Sequence, residues 1–312
     1  MDVLRSESKH PQGQAGMQQD AAKLQKEQQG RLQQRLTRDA ETRARECYDT
    51  PDAELFYSNV WGGENIHVGM YNTTRDIADA SHRTNMRLAP MLEPLDASSA
   101  VLDLGSGYGG TARYLARTYG CKVTGLNVSD VENKRAVALN KQHGLQDKVE
   151  IVLGTFEDVD MPNASFDAIF SQEAMLHAGD KANVVAEAAR MLKPGGRFVF
   201  TDVMRSDDCD ESKLQPIYDR LHLPSLASPS FYRAAAAKHG LDEIGFEEDT
   251  ANFTAHYSRV REDLIAREQE LRQQNISEAY LDRMKNGLLH WVAGGRNGLL
   301  CWGFFSFRKP AK

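Results

Sequence analysis

Residues 101–110 read Val-Leu-Asp-Leu-Gly-Ser-Gly-Tyr-Gly-Gly, an apolar segment that runs directly into a glycine-rich turn. The aliphatic residues are typical of a strand that is buried on both faces, as the strands of a parallel sheet are. Gly105, Gly107 and Gly109 let the backbone turn tightly and pass close to a ligand, where a Cβ atom would collide. Glycines also mark ordinary turns, so the pattern predicts a ligand-binding turn only together with the rest of the chain.

Strand-like and helix-like segments alternate around this turn. The predicted strands lie at 101–104, 122–126, 149–153, 166–170, 197–202, 242–248 and 299–307. Helical patterns lie at about 74–93, 109–119, 130–143, 181–192 and 230–239, and a long amphipathic stretch runs from His256 to Trp291. This alternation predicts an α/β fold with a doubly wound, Rossmann-like and mostly parallel sheet of seven strands.

The flanks of the sheet differ from it in composition. Residues 1–45 are rich in Gln, Lys, Arg and Glu, which predicts a polar extension, flexible or helical, without a chemical role. Residues 46–312 form the predicted folded domain. Segments dense in aromatic, His and Gly residues more often line a site than fill a core, and such a segment precedes the first strand. We therefore expect helical lids at about 46–75 and at the polar insertion of about 205–232.

Length and composition restrict the class of protein. The 312 residues have a hydrophobic content of 41%, a charged content of 26% and a formal charge of −6, which disfavours a nucleic-acid partner. No apolar run reaches the length of a membrane span, and the polar N-terminus does not resemble a signal peptide. The four scattered cysteines predict neither a disulfide framework nor a metal site. We expect a cytoplasmic protein, monomeric or homodimeric.

The residues that follow successive strands distinguish a dinucleotide from S-adenosylmethionine as the ligand of the turn. Asn127-Val128 ends the second strand, which places a polar side chain where ribose hydroxyls would lie. Phe156 and Glu157 follow the third strand and suit an aromatic wall and polar contacts around adenine. Together these features resemble the class I S-adenosylmethionine-dependent methyltransferases over about 100–205. That family carries an acidic residue where this chain has Asn127. The alternative for Asn127 is therefore a turn residue at the end of the strand that does not contact the ligand. The alternative for Phe156 is packing in the core.

Four blocks outside the glycine-rich turn resemble one subfamily more closely. They are Phe56-Tyr-x-x-Val-Trp-Gly-Gly-Glu-x-Ile-His67, Ser171-Gln-Glu-Ala-Met-Leu-His177, Gln215-Pro-Ile-Tyr-Asp-Arg220 and Leu289-His-Trp291-x-x-Gly-Gly-Arg296. These blocks resemble the sarcosine/dimethylglycine N-methyltransferases, which make glycine betaine. The similarity begins at about Tyr48 and continues to the C-terminus.

The resemblance implies a set of site residues. Those implied for the S-adenosylmethionine cofactor are Tyr57, Gly69, Gly105, Gly107, Asn127, Val128, Phe156, Glu157 and Gln172. The chain also resembles the phosphoethanolamine methyltransferases, in which a Tyr–His pair latches the site. By position the equivalents are Tyr48 and His177, with Glu173 in place of that group's aspartate, and these three are the implied catalytic residues.

The implied reaction agrees with these residue types. Methyl transfer from a sulfonium is an in-line displacement, so catalysis is mostly alignment of a neutral amine lone pair with the methyl carbon. A secondary amine then loses a proton, which His177 or Glu173 could accept. Arg220 is the predicted anchor for the substrate's carboxylate, with surface pairing to Asp219 or Glu211 as the alternative.

Aromatic faces are predicted to stabilise the quaternary ammonium product. The candidates are Tyr48, Trp61, Trp291 and Trp302, of which Trp302 lies in the last strand and suits the core. The implied substrate-binding residues are Trp61, His67, Arg220 and Trp291. Two other readings stay open at this point. One is methylation of another small zwitterionic amine or a thioether acid, and the other is a non-catalytic adenosylmethionine-binding regulator.

Overall fold

The computed structural model describes residues 30–311, apart from residues 33 and 62. Its central element is one sheet of seven strands in the order β3-β2-β1-β4-β5-β7-β6. The strands are β1 (Ala100–Leu104), β2 (Lys122–Asn127), β3 (Val149–Leu153), β4 (Phe166–Gln172), β5 (Leu192–Arg205), β6 (Asp242–Glu248) and β7 (Leu300–Arg308). The first five pair in parallel, and β7 lies antiparallel between β5 and β6. The predicted doubly wound, mostly parallel sheet is confirmed.

Eleven helices surround the sheet within the described ranges. They are α1 (34–48), α2 (Pro51–Val60), α3 (Ile77–Leu88), α4 (Gly110–Tyr119), α5 (Asp130–Gln142), α6 (Lys181–Met191), α7 (Gln215–Tyr218), α8 (Pro229–Lys238), α9 (Thr250–Ala266), α10 (Glu268–Gln273) and α11 (Glu278–Arg296). None of these helices is both long and apolar enough to cross a bilayer.

The central strands are buried on both faces, because each face carries its own apolar layer. Val101 and Phe170 belong to the layer that α2, α9 and α11 cover. Leu102 and Ile169 belong to the opposite layer, which α6 and α8 cover. The short run of aliphatic residues before the glycine-rich turn therefore has no solvent-facing side, as its composition predicts.

Several predicted boundaries are corrected by the structure. The pattern at 74–93 divides into α3 and a 3₁₀ turn at Ala89–Leu92, which contains a proline at its start. The amphipathic stretch before the last strand is three helices, since the chain turns between α10 and α11 at Asn275, whose φ is +69°. Strand β5 begins five residues earlier than the predicted 197–202.

The predicted division at residue 45 falls inside α1. Ala40 and Ala44 on this helix are buried, so the helical part of the extension packs on the domain and does not stand apart from it. Residues 1–29 of the predicted extension lie outside the described residues. The predicted lid segments correspond to α2 with the loop that follows it and to the insertion that contains α7.

Candidate active site

The glycine-rich turn follows β1 at the carboxyl edge of the sheet. Gly105, Gly107 and Gly109 have φ angles of +82°, +50° and +73°, a backbone region that side chains with a Cβ rarely adopt. A Cβ on Gly105 would lie 2.2 Å from the Cβ of Ala174, which follows β4. The turn then enters the N-terminus of α4, beside the crevice outside the strand ends, where ligands of open α/β sheets bind.

A cavity, here called the donor cavity, opens beside this turn. Six of the residues predicted to contact the cofactor line it, namely Gly105, Gly107, Asn127, Val128, Phe156 and Gln172. Ala44 and Tyr48 of α1 line the same cavity, so the N-terminal helix forms part of its wall. The cavity thus joins the ends of β1, β2, β3 and β4 under a helical cover.

A carboxylate that sequence reasoning missed lies in the donor cavity. Glu132 of α5 is buried and accepts a hydrogen bond of 3.0 Å from the Asn127 amide. Burial raises the pKa of Glu132 to about 7. Its backbone N–H is capped by the Ser129 hydroxyl, so the Ser-x-x-Glu spacing was the available signal. The acidic group absent at position 127 is therefore supplied five residues later.

A second cavity, here called the acceptor cavity, adjoins the first. The two share Tyr48, Ile66, Glu173 and His177 in their linings. The other residues that line the acceptor cavity are Tyr57, Trp61, Leu176, Val203, Arg220, Leu221, Tyr257 and Trp291. All three residues predicted as catalytic thus lie at the junction between the two cavities.

Arg220 is the one cation among the residues that line the acceptor cavity. It is 3% exposed, and its guanidinium carbon lies 4.5 Å from the ring centre of Trp291 and 5.0 Å from that of Tyr257. Its Nε and Nη1 have no hydrogen-bond partner among the described residues. The surface alternative is wrong, because Glu211 pairs with Arg205 at 3.2 Å and Arg220 is buried. A buried, unpaired guanidinium requires an anion.

Tyr48 and His177 form the pair that the resemblance implied. The Tyr48 hydroxyl and Nε2 of His177 are 3.0 Å apart, and the two rings meet edge to face. Burial lowers the pKa of His177 to about 3 and raises the pKa of Tyr48 well above its usual range. Both groups are therefore neutral near pH 7, and the bond joins α1 to the end of β4 without a formal charge.

Glu173 stands beside this pair with a backbone φ of +46°. Its Oε2 accepts a hydrogen bond of 2.7 Å from the Val68 N–H, and its Oε1 accepts one of 2.7 Å from the Trp302 indole. Burial raises the pKa of Glu173, and these donors oppose that shift because they stabilise the ionised form. Trp302 is a core residue, as expected, and it also orients the carboxylate, which sequence reasoning missed.

Four of the predicted contact residues lie outside the cavity that was expected for them. Tyr57 lines the acceptor cavity, not the donor cavity. Gly69 lines neither cavity, since it packs against Ala80 and its N–H donates to Nδ1 of His256. The Glu157 carboxylate also lines neither, because it accepts hydrogen bonds from the N–H groups of Gly179 and Asp180 and from the Thr37 hydroxyl.

His67 is the fourth of these residues. It lines a third cavity, here called the turn cavity, which lies at the glycine-rich turn. Ser106, Gln172 and Asp103 line the same space. Within the part of the chain that the structure describes, Ser106 Oγ and Gln172 Nε2 are buried without hydrogen-bond partners, and no three His, Cys, Asp or Glu side chains converge as a metal site.

Comparisons with known proteins agree with this geometry. Residues 102–200 match the family model described as a methyltransferase domain. The sarcosine/dimethylglycine N-methyltransferase of Halorhodospira halochloris is 49% identical over 267 residues, which are 85% of this chain and 95% of that protein. The dimethylglycine N-methyltransferase of Parasynechococcus marenigrum is 48% identical over 272 residues, which are 87% of this chain and 97% of that protein.

Solved structures give the same result. A crystal structure from Galdieria sulphuraria, of a protein suggested to be a sarcosine dimethylglycine methyltransferase, aligns with a TM-score of 0.79 at 41% identity. The alignment covers 85% of this chain and 99% of that one. The methyl donor of this enzyme is S-adenosylmethionine, in agreement with the family model and with the adjoining cavities at the strand ends. The chain belongs to the sarcosine/dimethylglycine N-methyltransferase family of S-adenosylmethionine-dependent enzymes.

Proposed function

We propose that this enzyme methylates the nitrogen of sarcosine, of dimethylglycine or of both, and so produces glycine betaine. The observation that carries the proposal is the buried guanidinium of Arg220, which has no anionic partner among the described residues. A carboxylate would supply a charge-assisted, forked pair of hydrogen bonds there. The relatives named for sarcosine and dimethylglycine support a methylated glycine as the acid.

The residues around the glycine-rich turn fit the donor. Asn127 and Glu132 offer an amide and a carboxylate to the ribose hydroxyls, and Phe156 offers a ring to adenine. The unpartnered Ser106 hydroxyl and Gln172 amide suit the polar amino-acid end of the molecule. When bound, S-adenosylmethionine supplies an electrophilic methyl group on a sulfonium sulfur. These roles agree with the shared lining of the donor and turn cavities.

The acceptor cavity is matched in charge to the zwitterionic product, which carries a carboxylate and a quaternary ammonium. Arg220 offers a guanidinium and Glu173 a carboxyl group, and His177 and Tyr48 are neutral near pH 7 because burial opposes their ionisation. With its carboxylate on Arg220, the amine of the substrate lies toward Glu173 and the Tyr48–His177 pair, at the junction with the donor cavity. The residues thereby hold the lone pair in line and oppose a carboxylate to the positive charge that forms on nitrogen.

The predicted aromatic cage is used differently from expectation. The Trp291 ring carries the guanidinium of Arg220, and Trp302 does not line the acceptor cavity. Contact with the quaternary ammonium then falls to Tyr48, Tyr57 and Trp61, which also line the cavity, each contributing about 0.5–2 kcal/mol. A tertiary amine needs no proton acceptor during attack, whereas Glu173 is placed to take the proton that sarcosine loses.

The test is a panel of acceptors with purified enzyme and labelled S-adenosylmethionine. Glycine, sarcosine, dimethylglycine and (methylthio)acetate are compared for formation of S-adenosylhomocysteine and methylated product. We expect turnover with sarcosine or dimethylglycine, and about a 100-fold lower kcat/KM for dimethylglycine in Arg220→Met, because a charge-assisted contact contributes about 3 kcal/mol. No turnover with any amine of the glycine series would overturn the proposal.

The variant also has a control and an alternative outcome. Calorimetric affinity for S-adenosylhomocysteine should not change in Arg220→Met, because Arg220 does not line the donor cavity. Faster turnover of (methylthio)acetate than of dimethylglycine would favour S-methylation instead. The small acceptor is the partner that the proposal requires. A cytoplasmic location, a monomeric or homodimeric state and the absence of a nucleic-acid partner stay predictions, and the four free cysteines are compatible with a reducing compartment.

A further inference from the structure

A glycine lies in the middle of α11 where Arg220 crosses the helix. A Cβ on Gly287 would lie 2.7 Å from Cγ, 2.9 Å from Cβ and 3.0 Å from Cδ of Arg220. Real Cβ atoms do not approach carbon atoms so closely, so any side chain at position 287 displaces the arginine stem. Glycine inside a helix is unfavourable relative to alanine. The close approach of the Arg220 stem therefore explains why position 287 is a glycine.

Trp291 is the next residue along the same face of α11. It is four residues after Gly287, one helical turn, and its ring lies under the guanidinium with 4.5 Å between the guanidinium carbon and the ring centre. The indole N–H donates to the Ile217 carbonyl at 2.9 Å, which ties α11 to α7 three residues before the arginine. Gly287 and Trp291 together form a shelf, with the arginine stem on the glycine and the guanidinium on the ring.

This shelf positions the guanidinium without consuming its hydrogen-bond donors. Packing against Trp291, Tyr257 and Trp61 surrounds the group with rings at 4.5, 5.0 and 5.8 Å. Nε and Nη1 have no partner among the described residues. If a protein carboxylate oriented the arginine, it would occupy the guanidinium N–H donors that a substrate carboxylate needs. Apolar positioning leaves them free for the carboxylate of the acceptor.

We propose that Gly287 is a specificity-determining positioning residue, which acts through Arg220 to select small amines that carry a carboxylate. The inference rests on the proposed function, since Arg220 must first be the carboxylate anchor. Displacing the stem moves the guanidinium relative to the amine site. The effect therefore falls on acceptors with a negative charge and spares uncharged acceptors of the same shape.

The test compares dimethylglycine with its uncharged amide, N,N-dimethylglycinamide, as acceptors. We expect Gly287→Ala to lower the ratio of their kcat/KM values about tenfold, mainly through a higher KM for dimethylglycine, because remote binding groups act on ground and transition states alike. The kcat/KM for the amide and the affinity for S-adenosylhomocysteine should stay within about twofold of the wild type. In an Arg220→Met background, Gly287→Ala should not change the ratio further.

The chain offers a matched control on the same helix. A Cβ on Gly295 would lie 2.5 Å from Thr254 and 2.9 Å from Phe253 of α9, so Gly295→Ala crowds α11 without contacting Arg220. It should leave the substrate ratio unchanged even if the protein is less stable. Should Gly287→Ala not fold, Trp291→Phe loosens the other end of the shelf and is expected to give the same tenfold loss.

The outcomes separate the two proposals. No turnover of dimethylglycine, sarcosine or glycine by the wild type would mean that the proposed function itself fails. A wild-type ratio near one would mean that Arg220 does not anchor the carboxylate, and the shelf proposal would fail with it. A high wild-type ratio that is unchanged in Gly287→Ala, or in Trp291→Phe if that variant replaces it, would overturn the shelf alone. An equal loss for both acceptors would also overturn it, because a merely structural defect does not distinguish a carboxylate from an amide.

Discussion

Glu173 combines an unusual backbone conformation with a fully hydrogen-bonded carboxylate. Its φ of +46° is a region that residues other than glycine rarely occupy, at a cost of about 1–3 kcal/mol. Such a conformation persists only where the surroundings determine it, and here the N–H of Val68 and the indole of Trp302 hold both carboxylate oxygens. The strained residue lies at the junction of the donor and acceptor cavities, where charge develops during methyl transfer.

Replacing Trp302 by Phe removes one donor from Glu173 while retaining an aromatic ring. We expect kcat/KM for dimethylglycine to fall about tenfold at pH 8, because a hydrogen bond to a charged group contributes about 1.5–3 kcal/mol. The loss should be larger at pH 6, since losing the donor raises the pKa of Glu173 further and protonates more of the carboxylate. Steady-state kinetics at the two pH values measure this.

The neighbouring Phe304 supplies the control for that substitution. Its ring centre is 5.1 Å from that of Trp302, and Phe304→Leu loosens the same packing without removing a hydrogen bond to Glu173. The ratio of variant to wild-type activity should then be the same at pH 6 and pH 8. A pH-independent loss in Trp302→Phe would show that the indole only packs.

The sequence predicted the residues whose own side chains would contact the substrate or form the Tyr–His pair. Arg220 was identified through a block of family resemblance, and the resemblance also pointed to the Tyr48–His177 pair, which is 3.0 Å apart in the structure. Trp302 and Gly287 were not identified as site residues, because each acts on another residue that is distant in the chain. Trp302 bonds a residue 129 positions earlier, and no local spacing indicates such a contact.

Helix α1 is the element whose role the sequence understated. Its Ala44 and Tyr48 line the donor cavity, and the Cys47 thiol donates to the Leu221 carbonyl of the inserted segment. The buried positions of this helix include Ala40 and Ala44, which are too small to register as a hydrophobic stripe. A polar composition therefore predicted a solvated extension, whereas the packing depends on close approach of two alanines.

The Thr37 side chain connects the N-terminal part of α1 to the rest of the domain through a hydrogen bond. The Thr37 hydroxyl donates to Glu157 at 3.0 Å, and Glu157 in turn accepts from the loop before α6. Thr37→Val keeps the shape and removes the hydroxyl, so we expect S-adenosylhomocysteine to dissociate about 2- to 10-fold faster, as a hydrogen bond contributes about 0.5–1.5 kcal/mol. Stopped-flow displacement measures this rate.

Thr42 is the matched control on the same helix. It is exposed, and its hydroxyl donates to the Arg38 carbonyl at 2.9 Å within α1. Thr42→Val therefore changes the same chemical group without touching the domain, and its dissociation rate should equal that of the wild type. Equal rates in Thr37→Val and Thr42→Val would mean that α1 does not limit release of the product.

Over the whole molecule, buried histidines and buried carboxyl groups have opposite effects on how the free energy of unfolding depends on pH. Burial lowers the pKa of His67 to about 4 and that of His177 to about 3. Burial also raises the pKa of Glu132 and of Asp202 to about 7. As pH falls below 6.5, the neutral histidines reduce the free energy of unfolding, whereas the protonated carboxyls increase it. The free energy of unfolding measured at acidic pH is therefore the sum of two large contributions of opposite sign.

A substitution at His67 separates these contributions. Its folded pKa of about 4 lies below the ordinary 6.5, so the unfolded chain binds more protons between these values and stability is lost as pH falls. The stability of the wild type relative to His67→Asn should therefore decrease by about 3 kcal/mol between pH 7 and pH 4, at about 1.4 kcal/mol per unit. Urea unfolding at pH 7, 5.5 and 4 measures it. A constant difference for His67→Asn across this pH range would contradict neutral burial of this ring.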